Sequence, residues 1–166
     1  YYFYEEISGE DVYQQIQRGY HTAYSEFGSP SMADIDYIRT FIPEEDMQNF
    51  EESESVRWHH GTKAHRADAW ICIDTLRQYF GEINTIEEAA EKSYWMGCEG
   101  YKAIYEEARR QKPHCSMALN WCFNEPWKTC AGNNLIAYPT KARPAYHYVQ
   151  KALRPTLFSA KIPRFD

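Results

Sequence analysis

Two short strand-type stretches, Tyr20 to Tyr24 and Met117 to Asn124, stand roughly ninety residues apart with helix-type sequence between them, which constrains the fold more than any other feature. Strands joined through helices pair in parallel, with a right-handed crossover. The first stretch is mostly aromatic or β-favouring and runs into Ser25-Glu26-Phe27-Gly28-Ser29-Pro30-Ser31, where Gly28, Pro30 and the serines call for a tight loop. In the second, Leu119, Trp121 and Phe123 alternate with Ala118, Asn120 and Cys122, which reads as a strand buried on both sides and ended by Glu125-Pro126-Trp127. A carboxylate, Glu26, therefore stands at one strand end. Two strands cannot close a barrel and would leave open edges, so the α/β unit reads as incomplete.

The helices follow from spacing and caps. Ser8 as N-cap, Val12 and Ile16 four apart, and Gly19 as a left-handed closing residue predict a short helix leading into the first strand. Met32, Ile35, Ile38 and Phe41, then Met47 and Phe50, with Pro43 between, predict two short helices, and Glu51, Glu52 and Glu54 a solvated loop. After the polar connection opened by Trp58-His59-His60-Gly61, the residues Trp70, Ile73, Leu76 and Phe80 predict a helix over 68–80 ended by Gly81. Thr85 with Glu88 forms a capping-box pattern. It opens a long helix through Ile86, Ala90, Tyr94, Gly97, Tyr101, Ile104 and Ala108, finished by Arg109, Arg110 and Lys112 and stopped by Pro113. Past a polar loop holding Gly132, Asn133 and Asn134, Pro144 opens a last helix with Ala145, Tyr148, Val149 and Ala152 on its buried stripe, ending before Pro155.

Composition narrows the partner. The net charge of −6 and the lack of a basic cluster argue against nucleic acid and against an anionic membrane surface, and no run of about 18 apolar residues exists to span a bilayer. Fourteen tyrosines lead the aromatics, and their flat apolar faces with a polar edge suit sugar rings as well as buried hydrogen-bonded positions. The start, Tyr1-Tyr2-Phe3-Tyr4, has neither an initiator Met nor the layout of a signal peptide, so the chain is expected to begin in mid-protein. Five cysteines without Cys-x-x-Cys spacing indicate neither a disulfide framework nor a zinc site. Neighbouring His59 and His60 point apart with no third ligand spaced for a metal, which favours a surface or structural role. No metal and no cofactor is expected.

The two strand ends resemble a known family. Ser25-Glu26-Phe27-Gly28 with Pro30-Ser31, then Asn120-Trp121-Cys122-Phe123-Asn124-Glu125-Pro126-Trp127, then a Lys-containing link at Lys141, is similar to the C-terminal part of the catalytic barrel of glycoside hydrolase family 2, nearest to its β-mannosidase-like members. The resemblance implies an α/β fold, the helix-rich C-terminal portion of a (β/α)8 TIM barrel. Residues 1–166 would supply barrel strands 7 and 8 with their helices, and the remainder of the barrel would lie upstream. It implies a retaining β-glycosidase with Glu26 as nucleophile and Trp121 in the subsite that holds the sugar being cleaved. Asn124, Glu125 and Trp127 are candidate sugar contacts, although Asn124 and Glu125 equally suit capping of the following loop.

The implied partners are an oligosaccharide or glycoside substrate and the rest of the parent polypeptide. Donors to Glu26 would come from Ser25, Tyr24, Tyr2 or Tyr4. The family's Trp-Gln-x-Asn reads Trp121-Cys122-Phe123-Asn124, which removes a side-chain amide. Its acid/base Glu would lie upstream of Tyr1, so the segment alone is expected to be inactive. Competing readings are a β-galactosidase or β-glucuronidase of the same family, a carbohydrate-binding barrel that holds sugar on Trp121 and Trp127 without cleaving it, and a helical interaction module built on residues 68–112.

Overall fold

The computed structural model describes residues 12–60 and 70–161. Ser8, Tyr2, Tyr4 and the expected helix start at Asp68 lie outside them. In chain order the elements are α1 (Val12–Arg18), β1 (Ala23–Phe27), β2 (Ser31–Met32), α2 (Ile35–Ile38), α3 (Glu44–Gln48), α4 (Glu54–Trp58) and α5 (Ile73–Phe80). They continue with α6 (Ile86–Arg110), β3 (Met117–Asn120), β4 (Ala131–Gly132), β5 (Ile136–Ala137), β6 (Lys141–Ala142) and α7 (Pro144–Ala152).

The organising element is α6. The Thr85 hydroxyl accepts from the Glu88 amide at 3.1 Å, and the Glu88 carboxylate accepts from the Asn84 amide at 2.8 Å, one residue before the usual reciprocal partner. A cap of this kind stabilises a helix by about 1 kcal/mol. α6 packs against α1, α5, α7, β2 and β3, and Phe27 of β1 reaches it as well. Small residues allow that approach: a Cβ at Gly97 would sit 2.6 Å from the Ser31 Cβ, and the Ser93 hydroxyl accepts from the Met32 amide at 2.6 Å. Phe27 and Tyr101 interlock at a ring separation of 6.4 Å, and Phe27 meets the edge of Tyr105 at 5.3 Å.

The parallel pairing expected from the crossover is present: β1 runs beside β3 with Ala23 opposite Met117, Tyr24 opposite Ala118 and Phe27 opposite Asn120. Two further pairs are antiparallel, β2 with β4 and β5 with β6. The architecture is a mixed helix and strand unit, with three two-stranded sheets among the described residues.

Several expectations are corrected. Met117, Leu119, Trp121 and Phe123 are exposed by 41, 51, 55 and 59%, so the second strand is covered on one side only, by α6. The first strand begins at Ala23, because Tyr20 leaves the sheet to stack flat on His114 at 3.9 Å. Gly19 does not adopt the left-handed conformation; α1 closes through its amide on the Ile16 carbonyl at 3.1 Å, and Gly81 is the described glycine with positive φ.

The acidic stretch is not one solvated loop. The Ser53 hydroxyl accepts from the Val56 amide and nucleates α4 at Glu54, while Glu51 pairs with Arg77 at 2.6 Å. The helix expected over 68–80 starts at Ile73, behind Cys72 at φ 54°, a conformation that interrupts a helix. Gly28 to Ser31 form no exposed turn; they run buried under α6 into β2.

Candidate active site

A bulge in β1 decides what faces outward. Between the pairs Tyr24–Ala118 and Phe27–Asn120, β1 advances three residues while β3 advances two. Strict alternation would put Tyr24 and Phe27 on opposite faces. The extra residue lets both point into the core, at 2 and 0% exposure, and leaves Ser25 and Glu26 together on the outside. Bulges of this kind re-aim side chains and concentrate beside active sites.

The Trp121 amide donates to the Phe27 carbonyl at 2.8 Å, so the tryptophan follows directly on the strand next to Glu26. Asn120 holds the turn beneath it. Its side-chain oxygen accepts from the Tyr105 hydroxyl at 2.9 Å and its amide nitrogen donates to the Cys122 carbonyl at 2.9 Å, while the Cys122 amide donates to the Asn134 side chain at 3.2 Å. The peptide bond between Trp121 and Cys122 is cis. Burial, and then the charge of Glu26, push the Cys122 thiol upward. Burial pushes the Tyr105 phenol up to about 12, so it donates as a neutral hydroxyl.

The other sequence candidates divide. Asn124 is exposed and bridges to Ile136. Trp127, 40% exposed, stacks on His59 at 5.1 Å, and His59 Nδ1 bonds the Lys128 carbonyl at 2.8 Å, a structural role for that histidine. Trp127 thus belongs to an aromatic group with Trp58 and His59.

Glu125 is drawn inward. It is 2% exposed and its Oε1 pairs with Arg143, itself 2% exposed, which leaves Glu125 no open face for a sugar hydroxyl. Tyr24 turns away from Glu26; its hydroxyl bonds Gly19 and Gln111, both at 3.2 Å. Lys141 is exposed and pairs with Asp34 at 3.5 Å. Asn120, Asn134 and Arg143 hold these segments through side-chain hydrogen bonds, and Asn133 packs against Gly28. The sequence offered Asn133 and Asn134 only as part of a polar loop and did not single out Arg143; a Cβ at Gly28 would lie 2.3 Å from the Asn133 side-chain nitrogen.

No family model matches the chain, and no curated protein matches it. Among solved structures, a β-D-mannosidase from Dictyoglomus thermophilum superposes with a TM-score of 0.71 at 23% identity, over 89% of this chain and 18% of that one. An exo-chitosanase from Amycolatopsis orientalis, in complex with PNP-beta-D-glucosamine, gives 0.73 at 15% identity, over 88% of this chain and 18% of its own. A further crystal structure of that exo-chitosanase gives 0.67 at 16% identity, over 81 and 16%. The chain shares its fold with a segment of these enzymes. It spans 18% or less of the length of each. At such identities the likeness is one of fold. Among the described residues, no helix is long and apolar enough to cross a membrane.

Proposed function

We propose that residues 1–166 are the C-terminal part of the (β/α)8 catalytic barrel of a retaining β-glycosidase, β-mannosidase-like within glycoside hydrolase family 2, with Glu26 as nucleophile. The observation that carries this reading is the bulge in β1, which turns Glu26 outward at a strand end while Trp121 is anchored to the neighbouring Phe27 carbonyl. The fold shared with a mannosidase and an exo-chitosanase supports it. In the whole barrel, the exposed side chains Met117, Leu119 and Phe123 pack against strands supplied by preceding polypeptide.

In this reading the ionised Glu26 attacks the anomeric carbon of a β-linked sugar while a protonated carboxyl gives its proton to the departing glycosidic oxygen. The resulting glycosyl ester is cleaved by water, from which the same second carboxyl takes a proton. In the family that the strand ends resemble, the acid/base stands on an earlier barrel strand, and Glu125, paired with Arg143, does not take that role in this reading. Trp121 offers its exposed face to the sugar in the cleavage subsite, and Asn124 and Trp127 line the approach.

The test uses the full-length protein against a panel of aryl β-glycosides. The first-formed anomer, followed by NMR, retains configuration, and Glu26→Gln abolishes turnover while sugar still binds. First release of the inverted anomer overturns the retaining mechanism. Saccharide binding without turnover in the wild type moves the assignment to a carbohydrate-binding barrel.

A further inference from the structure

Glu125 and Arg143 are the buried charges of this region that the proposed chemistry does not use. Arg143 sits just before α7, whose first turn begins at Pro144, and its guanidinium reaches across three segments. Nη1 donates to the Ser31 carbonyl at 3.0 Å, while Nη2 donates to Glu125 Oε1 and to the Thr129 hydroxyl, the latter at 3.3 Å. Both partners are pinned by their own backbones: the Arg143 amide donates to the Leu135 carbonyl at 2.9 Å and the Glu125 amide to the Ile136 carbonyl at 2.9 Å. The segment between Trp121 and Glu125 is laced to the same strand, since the Leu135 and Ile136 amides both donate to the Phe123 carbonyl at 3.0 Å.

The pair therefore grips both sides of the candidate site. Ser31 lies five residues after Glu26 and Glu125 four residues after Trp121. Gly132 makes room, because a Cβ there would stand 3.2 Å from Glu125 Oε1. Burial, then the charge of Glu125, push the Tyr37 phenol up to about 12, so Tyr37 stays neutral.

Stability alone does not account for such a pair. Well-packed apolar residues of the same volume often serve as well or better, whereas a forked guanidinium adds fixed geometry. We infer that the Glu125–Arg143 pair is a positioning device that fixes the Trp121 segment relative to the Glu26 segment. Its bearing on catalysis rests on the glycosidase reading; its effect on geometry does not.

The full-length protein, labelled with 5-fluorotryptophan, tests this by fluorine NMR, with the Trp121 resonance assigned through Trp121→Phe. Glu125→Gln and Arg143→Lys each shift or split the Trp121 resonance, leave the far-UV circular dichroism unchanged, and slow labelling of Glu26 by a 2-deoxy-2-fluoro glycoside about 10²-fold, the scale of an ångström-sized misplacement. If either single variant fails to fold, the double variant Glu125→Leu with Arg143→Met decides: it folds and shifts the Trp121 resonance. An unmoved Trp121 resonance in any folded variant of the pair overturns the inference, as does a double variant that cannot fold, which makes the pair structural. Failure of the wild type to label at Glu26 refutes the nucleophile assignment instead, and the resonance still decides the role of the pair.

Discussion

Truncating Trp121 and truncating Phe27, neighbours through one hydrogen bond, should have opposite consequences. A fully buried aromatic cut to Ala costs about 3–5 kcal/mol of stability. Phe27 meets that condition, with no exposed surface and ring contacts to Tyr101 and Tyr105. Trp121 keeps 55% of its surface in solvent, so less than half of such a loss applies, about 1–2 kcal/mol. Its loss should instead appear in binding. A tryptophan that anchors a ligand contributes about 2 kcal/mol or more, roughly 30-fold in affinity. The assay pairs urea unfolding of the full-length protein with titration of a substrate-like glycosidase inhibitor. Trp121→Ala unfolds near the wild-type midpoint and binds weakly; Phe27→Ala unfolds much earlier. A Trp121→Ala protein as unstable as Phe27→Ala, or one that binds inhibitor normally, would make the tryptophan core filling and refute the platform.

Three further outcomes follow from the geometry. Cys122 is raised by burial and by the negative charge of Glu26, so Glu26→Gln lowers its pKa and moves the pH profile of its alkylation to lower pH; an unchanged profile contradicts that coupling. Gly28→Ala places a methyl group 2.3 Å from the buried Asn133 side chain and costs about 1–3 kcal/mol, read as a lowered urea midpoint; an unshifted midpoint means the Asn133 side chain yields freely. On the glycosidase reading, which puts the second carboxyl outside these residues, the 166-residue chain by itself is expected to turn over no aryl β-glycoside, since general acid help is commonly worth about 10² to 10⁴ in rate; measurable turnover would contradict that placement of the acid/base.

Much of the scaffold was legible because its signals are local and repeated. The threefold and fourfold spacing from Ile86 to Ala108 extends over enough turns that no other element fits, and Thr85, Glu88 and Pro113 mark its ends. The parallel β1–β3 pair followed from the helices between the strands. Leu119 and Phe123 carry an affinity for burial that this segment leaves unmet, because α6 covers only one side of the strand and the sequence does not say which polypeptide covers the other.

The geometry of the candidate site was not legible. The bulge that separates Tyr24 from Glu26 leaves no mark on a five-residue strand. The turn of Glu125 inward depends on Arg143, eighteen residues later and on another element, so Glu125 read alone suited a sugar contact or a loop cap equally. The strands of the β5–β6 hairpin are two residues each, too short to register as a pattern.

The central claim is that Glu26 carries the sugar in a covalent intermediate. The most direct measurement is mass spectrometry of peptides from the full-length protein after treatment with a 2-deoxy-2-fluoro β-glycoside with a good leaving group. The account predicts that the peptide containing Ser25-Glu26-Phe27-Gly28 gains the mass of one fluorosugar, with fragmentation placing it on Glu26. A label on any other carboxylate would contradict it.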